Sequence, residues 1–385
     1  MLDVLALRRT EFRWMDDGDT IYLNTASTGP VPACAVAAET AFSRRRATPH
    51  LISFEEQFGA LDRCRTGIAR LVGAAVEEVA LAPNTGAGLN LAAWGLPLGP
   101  GDEVVLSDGE FPANMYPWLA ASRARGFAVH VVPMRDGLLD EDAILAALDR
   151  RSVRVVSLSW VGFSTGYVAD LDRIGTACRV RGIHFVVDAI QGLGPLTIDL
   201  ARTPVDVLAC GAQKWLLSPW GTGFTYVRRG LLELIEPQPV SWMSVRDSDD
   251  FSRLLHYDLT WRDSARRFEQ ITLPSQSFSG MSASIELILE QGKEAVSAHA
   301  RRAARLMLDR AAAAGIRCVT PSDQCAGIAS LRPRAATRAS AHLTDAGVIH
   351  SLREGTIRFA AHCYSTDDDL ERAVRVLVAA DRSAS

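Results

Sequence analysis

Lysine is almost absent from this chain. Of 41 basic side chains only Lys214 and Lys293 are lysines, and arginine supplies the rest. Arginine replaces lysine well as a surface cation, but its guanidinium stays protonated and forms no imine with an aldehyde. A lysine that persists in such a background points to chemistry a guanidinium does not perform. Lys293 occupies a polar position in the helical run 284–294, where a surface role accounts for it. Lys214 stands elsewhere, just past the end of a predicted strand.

Other absences narrow the field. No apolar run reaches the length of a membrane span, and residues 1–11 mix acidic, basic and apolar types as no secretory leader does. The seven cysteines (34, 64, 178, 210, 318, 325 and 363) are odd in number, scattered and never spaced CxxC. That pattern argues against a disulfide framework and against a zinc site, so no metal is expected and a reducing, cytoplasmic setting is. A net charge of -4, with basic clusters no longer than Arg44-Arg45-Arg46, gives no footprint for nucleic acid or a membrane surface. Neither GxGxxG nor a P-loop follows a strand, which removes the common nucleotide folds.

What is present is an alternation. Apolar runs at Val79–Leu81, Glu103–Leu106, Phe127–Val132, Val153–Leu158, His184–Val187, Val205–Ala209 and Gly223–Val227 are separated by helical patterns at 54–72, 87–95, 112–125, 140–149 and 170–181. Seven short strands interleaved with helices predict βαβ units and a mainly parallel seven-stranded sheet, an α/β fold covered on both faces. After about residue 275 the texture changes to a long helix over 279–314, strands near 316–319, 326–331 and 356–360, and a last helix at 367–380. The expected organisation is an N-terminal segment (1–20) packing on the small domain, a large domain (21–265) and a smaller C-terminal α+β domain (266–385).

Candidate chemistry gathers where the strands end, as it does in open α/β sheets. The run His184-Phe185-Val186-Val187-Asp188 closes a strand with an acid, a feature that a helix cap or a Mg²⁺ ligand would also produce. The run Val207-Leu208-Ala209-Cys210-Gly211-Ala212-Gln213-Lys214 places the rare lysine after a strand and a small-residue turn, and Gly221-Thr222-Gly223 follows. A lysine for an imine and an acid to hold a ring nitrogen protonated are two requirements of pyridoxal phosphate (PLP) chemistry.

The pattern Val187-Asp188-x-x-Gln191, then Gln213-Lys214-Trp215-Leu216 and Gly221-Thr222-Gly223, resembles the class V aminotransferases, fold-type I PLP enzymes that include cysteine desulfurases, kynureninases and isopenicillin N epimerases. Tyr22-Leu23-Asn24-Thr25-Ala26-Ser27-Thr28-Gly29-Pro30 is similar to the N-terminal motif of the epimerase branch. The resemblance runs from about residue 20 to the C-terminus. It implies that Lys214 carries PLP as a Schiff base and shuttles a proton, that Asp188 pairs with the pyridinium nitrogen, and that Gln191 bonds the phenolic oxygen. It also implies a phosphate loop at Asn84-Thr85-Gly86-Ala87, with Gly86 where the family usually has Ser or Thr.

Further roles follow from the same resemblance. Phe111, within Glu110-Phe111-Pro112-Ala113-Asn114, stands where a ring stacks on the cofactor; the family often has His there, and Phe carries no proton. Gln213 replaces the usual His before the lysine and can still donate to phosphate, whereas Gly211 replaces a Ser and cannot. Arg267-Phe268-Glu269-Gln270-Ile271-Thr272 resembles the motif whose threonine reaches the partner subunit's phosphate, which implies a homodimer with active sites at the subunit interface. Ile271 departs from the usual Gly there. Gly355-Thr356-Ile357-Arg358-Phe359 resembles the strand whose arginine clamps the α-carboxylate of an amino-acid substrate, with Asn24 beside it.

The reaction is less constrained. A desulfurase needs a cysteine on the loop before the clamping arginine, and no cysteine lies between Ala326 and Ile357. Epimerisation needs proton carriers on both faces of the α-carbon, and only Lys214 can be named. A lyase or transaminase makes the fewest further demands, with an epimerase next and a non-catalytic protein of the same fold last. Trp160, Trp118, Trp242 and Tyr116 are candidates for the substrate pocket, though core packing would equally explain each.

Overall fold

In the computed structural model, which describes residues 2–270 and 272–383, successive residues of each central strand divide between two cores. Val105, Val156, Val187 and Leu208 pack into one apolar cluster. Their neighbours Val104, Val155, Val186 and Val207 pack into another on the opposite face. Side chains alternate along a strand, so a strand buried on both faces needs an unbroken apolar run.

The sheet has seven strands. Their spatial order is Val79–Ala82, Gly223–Val227, Val207–Gly211, His184–Asp188, Val153–Ser159, Glu103–Ser107 and Ala128–Val132. Five consecutive members pair in parallel, and Gly223–Val227 runs antiparallel between its two neighbours. This is the α/β, mainly parallel fold expected from the alternation. The register aligns Ser159 with Asp188, and Asp188 with Ala209. Parallel pairing therefore brings the carboxyl ends of several strands to one edge, and Lys214 follows three residues after Gly211.

The C-terminal part carries a second, antiparallel sheet in the order Ser351–Arg353, Thr356–Ala360, Ile328–Arg332, Arg317–Cys318. It packs on helices Lys293–Ala313, Ala336–Asp345 and Asp367–Arg382 through Met307, Leu343, Phe359 and Leu377. The helix expected over 279–314 is two helices, Ser275–Glu290 and Lys293–Ala313. Gly292 between them has φ 83°, a left-handed conformation that only glycine adopts without strain. The helical pattern at 112–125 likewise divides, into a 3-10 turn at Pro112–Asn114 and a helix at Tyr116–Arg125. Strands Ile21–Tyr22 and Val348–Ile349, which pair in parallel, are too short for a periodic signal.

The first helix, Val4–Glu11, docks through Arg8, which bonds Asp369 at 2.5 Å and the carbonyl of Met15. Among the described residues no helix is long and apolar enough to cross a membrane.

Candidate active site

Asp188 is the last residue of its strand and is 2% exposed. One carboxylate oxygen, Oδ1, accepts the Ile190 N–H at 2.9 Å, which leaves Oδ2 available. Burial pushes its pKa up to about 6, against the Ile190 hydrogen bond and the nearby Lys214 charge, both of which pull it down. Lys214 is perturbed in the complementary way. Desolvation lowers its amine to about 8; Asp188 acts upwards, Arg358 downwards. An amine lowered this far has a substantial unprotonated fraction near neutrality, which a nucleophile requires.

Backbone contacts hold the lysine in place. Gly29 donates its N–H to the carbonyl of Gln213 at 2.9 Å. A Cβ on Gly29 would stand 2.0 Å from the Lys214 carbonyl oxygen, so no other residue fits that approach. Gln191, buried, donates from Nε2 to the Ala26 carbonyl at 2.9 Å and accepts from the Trp215 indole at 2.8 Å. One of its amide hydrogens is left for an outside acceptor.

Anion-binding capacity lies at the start of the helix Thr85–Gly95. Asn84 caps it, its side chain accepting the Ala87 N–H at 3.0 Å. The first N–H groups of a helix lack intrahelical acceptors, and those of Thr85 and Gly86 meet no protein acceptor among the described residues. Thr85 Oγ1 accepts the Gly211 N–H at 2.8 Å, so its own hydrogen points elsewhere. A Cβ on Gly211 would fall 2.6 Å from Gln213 Oε1 and 3.2 Å from Thr85 Oγ1. The glycine in place of serine thus makes room for the Gln213 amide. Gln213 Oε1 is itself buried without a partner.

Phe111 is 45% exposed, with its ring centroid 5.7 Å from Lys214 Nζ. Phe163 meets it edge-on at 5.3 Å. Beside Phe163 is Arg358, 3% exposed. Its Nη1 donates to the Phe163 carbonyl at 2.6 Å, and its Nη2 to Ser27 Oγ at 2.9 Å. Ser351 Oγ lies 3.4 Å from Nη2 and donates to Asn24 Oδ1 at 2.5 Å, so Asn24 acts through the serine rather than on the arginine. No carboxylate pairs with Arg358 among the described residues, and its Nε is buried without a partner. Desolvation, with the neighbouring Arg353 charge, lowers this guanidinium to about 10.

Thr85, Gly86, Phe111, Asp188, Gln191, Gln213, Lys214, Arg358 and Asn24 thus gather around one region. Ala87 contributes its N–H to the Asn84 cap instead of to a ligand. Thr272 lies apart: with Phe54, Trp242 and Phe251 it lines a separate surface cleft. Ile271 lies outside the described residues. Trp118 and Trp160 are core residues, whereas Tyr116 is exposed and Trp242 lines the cleft with Thr272.

Three contributors escaped the sequence. Glu110 accepts from Ser159 N–H at 2.8 Å, Ser159 Oγ at 2.5 Å and Asn114 at 3.0 Å. Burial raises it to about 7, and the Asp188 charge pushes the same way, so two buried carboxyls stand near each other at the strand ends. Ser27 and His362 are the others. His362 accepts the Cys363 N–H on Nδ1 at 2.7 Å, which leaves Nε2 to donate to the Trp215 carbonyl at 3.0 Å. Burial lowers it to about 4, so it stays neutral while it ties the C-terminal sheet to the residue after Lys214. Glu110 stood inside a motif already singled out for Phe111, and Ser27 inside the N-terminal motif that holds Asn24; nothing in the sequence marked His362.

A buried amine facing a buried acid, a helix start with free N–H groups, a flat ring and an unpaired buried arginine define a fold-type I PLP enzyme. The chain belongs to the aminotransferase class-V family, whose sequence model matches residues 21–372. It is 34% identical over 235 residues to an isopenicillin N epimerase of Streptomyces clavuligerus, covering 60% of this chain and 59% of that one. It is 28% identical to a probable cysteine desulfurase of Methanothermobacter thermautotrophicus, covering 92% of each. Among solved structures, a lysine-to-alanine mutant of C-DES with glycine covalently linked to its PLP cofactor superimposes with a TM-score of 0.88. That match is 22% identical and covers 96% of this chain and 98% of the other. Pyridoxal phosphate is accordingly the cofactor, and the donor set around Lys214 fits it.

Proposed function

We propose that this enzyme acts on α-amino acids at Lys214, by transamination or by elimination of a side-chain group, with the lysine as its proton carrier. The observation that carries the proposal is Arg358, a buried guanidinium with no carboxylate partner. Burying an unpaired charge is costly, and a planar fork matches a carboxylate in two parallel hydrogen bonds. A substrate α-carboxylate supplies the missing partner.

Bound PLP supplies an electron sink that stabilises negative charge on the substrate α-carbon. Asp188, with Oδ2 free, would hold the ring nitrogen of the cofactor and favour its protonated form. The N–H groups of Thr85 and Gly86, with the Thr85 hydroxyl and the Gln213 amide, hold the phosphate. Phe111 would cover the ring of the cofactor and shield it from water. Lys214 would carry the proton to and from the substrate α-carbon, its amine being held near neutrality by desolvation.

Phe111 also argues against the epimerase alternative, since the group over the other face holds no proton to give. A protein persulfide finds no support either: Cys325 and Cys363, which flank the loop before Arg358, are each 2% exposed. Seven free cysteines suit a cytoplasmic location. A homodimer would bring Thr272 to the partner subunit's phosphate.

The test is Lys214→Ala and Arg358→Ala in PLP-loaded protein. The first loses the visible absorption of lysine-bound cofactor; an unchanged band overturns the assignment. The second keeps that band but weakens amino-acid binding by about 30-fold or more, as the loss of one partner in a buried charge pair does. Products then separate the reactions: keto acid with cofactor amination marks transamination, ammonia release marks elimination, and an inverted stereocentre restores the epimerase.

A further inference from the structure

Strand Ser351–Arg353 returns to Thr356–Ala360 through two residues, Glu354 at φ 44° and Gly355 at φ 71°. Positive φ at both central positions is the tight primed hairpin turn, and such a turn fixes the register. The pairs are Arg353 with Thr356, Leu352 with Ile357, and Ser351 with Arg358. Alternation then places Arg353, Ser351, Thr356 and Arg358 on one face and Leu352 and Ile357 on the other. The second face packs into the C-terminal core. The first is the face that carries Arg358 and Ser351 to Phe163 and Ser27.

Arg353 is therefore the next cation along the face that holds the α-carboxylate clamp. Diagonal neighbours of this kind stand about 7 Å apart. Arg353 is exposed, and its guanidinium donates only to the carbonyl of Leu352, at 2.9 Å. No carboxylate pairs with it among the described residues, which leaves its charge free for a ligand. Its charge lowers the pKa of both Lys214 and Arg358, as expected of a group at the mouth of the same site. Glu354, the nearest acid in sequence, sits at the turn and pairs with neither arginine.

Two unpaired guanidiniums on one face, one buried and one at the rim, match two anionic groups on one molecule. We propose that the substrate is an α-amino acid with a second anionic group on its side chain, a carboxylate or equivalent oxyanion, held by Arg353 while Arg358 holds the α-carboxylate. This rests on the amino-acid reading above and narrows it to acidic side chains.

The experiment titrates PLP-loaded protein with L-aspartate and L-asparagine, and with L-glutamate and L-glutamine, following the cofactor spectrum to obtain each Kd. These pairs differ in charge at nearly constant shape. At least one acid binds about tenfold more tightly than its amide, with an advantage that shrinks as salt rises. Arg353→Gln brings the acid-to-amide ratio close to one, and Arg353→Lys restores part of it. Equal or better binding of both amides in the wild type overturns the proposal, as does an acid preference that survives Arg353→Gln. Protein that holds PLP on Lys214 but binds none of the four overturns the amino-acid reading together with this one. Amino-acid binding without charge preference overturns only this one.

Discussion

A lysine amine in water holds its proton to about pH 10.4, and Lys214 is brought down to about 8 chiefly by desolvation. Only the unprotonated amine attacks an aldehyde, so the rate at which cofactor-free protein takes up PLP should rise with pH and level off, with a midpoint near 8. Asp188 pulls the amine upwards, because its negative charge favours the ammonium form. Asp188→Asn removes that pull and should move the midpoint to lower pH. Stopped-flow capture at several pH values reads both effects. A wild-type midpoint that stays near 10 would show that the amine is solvated. The scarcity of lysine simplifies the companion measurement: borohydride reduction of loaded protein, followed by peptide mapping, should label Lys214 and not Lys293, whose amine already donates to the Leu71 carbonyl at 2.8 Å.

Among the elements, strands that end in chemistry were legible because two physical signals coincide there. An unbroken apolar run marks a strand buried on both faces, and a polar or rare residue directly after it marks the sheet edge where ligands bind. Asp188 and Lys214 both carry that combination. Arg358 lacks it, since one arginine among many is anonymous until its strand is placed, and only family resemblance drew it out. Ser27 and His362 act through contacts 331 and 147 residues away in sequence, which no local pattern encodes. Gly292 shows the opposite limit: a helical pattern continued across it, and only its backbone conformation reveals the break.

The segment around Glu269 shows that a family motif can also carry residues whose work is structural. Glu269 takes both Arg65 Nε and Nη2 at 3.0 Å and also accepts the Leu81 N–H at 2.9 Å. It thereby joins helix Phe54–Val72 to the edge strand Val79–Ala82. Arg267, 1% exposed, donates to the carbonyl of Leu232 at 2.9 Å and to Glu233. Glu269→Ala leaves the buried Arg65 with only Asp62, itself largely exposed, and strands a backbone donor. Breaking a buried pair from one side costs about 3 kcal/mol. Chemical denaturation should register a loss of that order, and a loss below ~1 kcal/mol would mean the pair adds little to stability.

On the scale of the whole molecule, the stretch after Asp249 exposes apolar side chains that one chain has no means to cover. Leu255 is 84% exposed, Tyr257 88% and Leu259 71%, and Phe251 stands beside Trp242 and Phe54 above the cleft that Thr272 lines. Exposed apolar surface of this kind is suited to an interface. A twofold dimer that buries it is the arrangement the homodimer proposal calls for. Light scattering coupled to gel filtration should therefore return twice the 41.7 kDa chain mass. Leu255→Glu combined with Leu259→Glu should shift the protein toward monomer and weaken PLP retention in step. If the wild type runs as a monomer with full PLP content, Thr272 has no partner site to serve. If the double variant becomes monomeric yet binds PLP unchanged, the dimer forms here without completing the site.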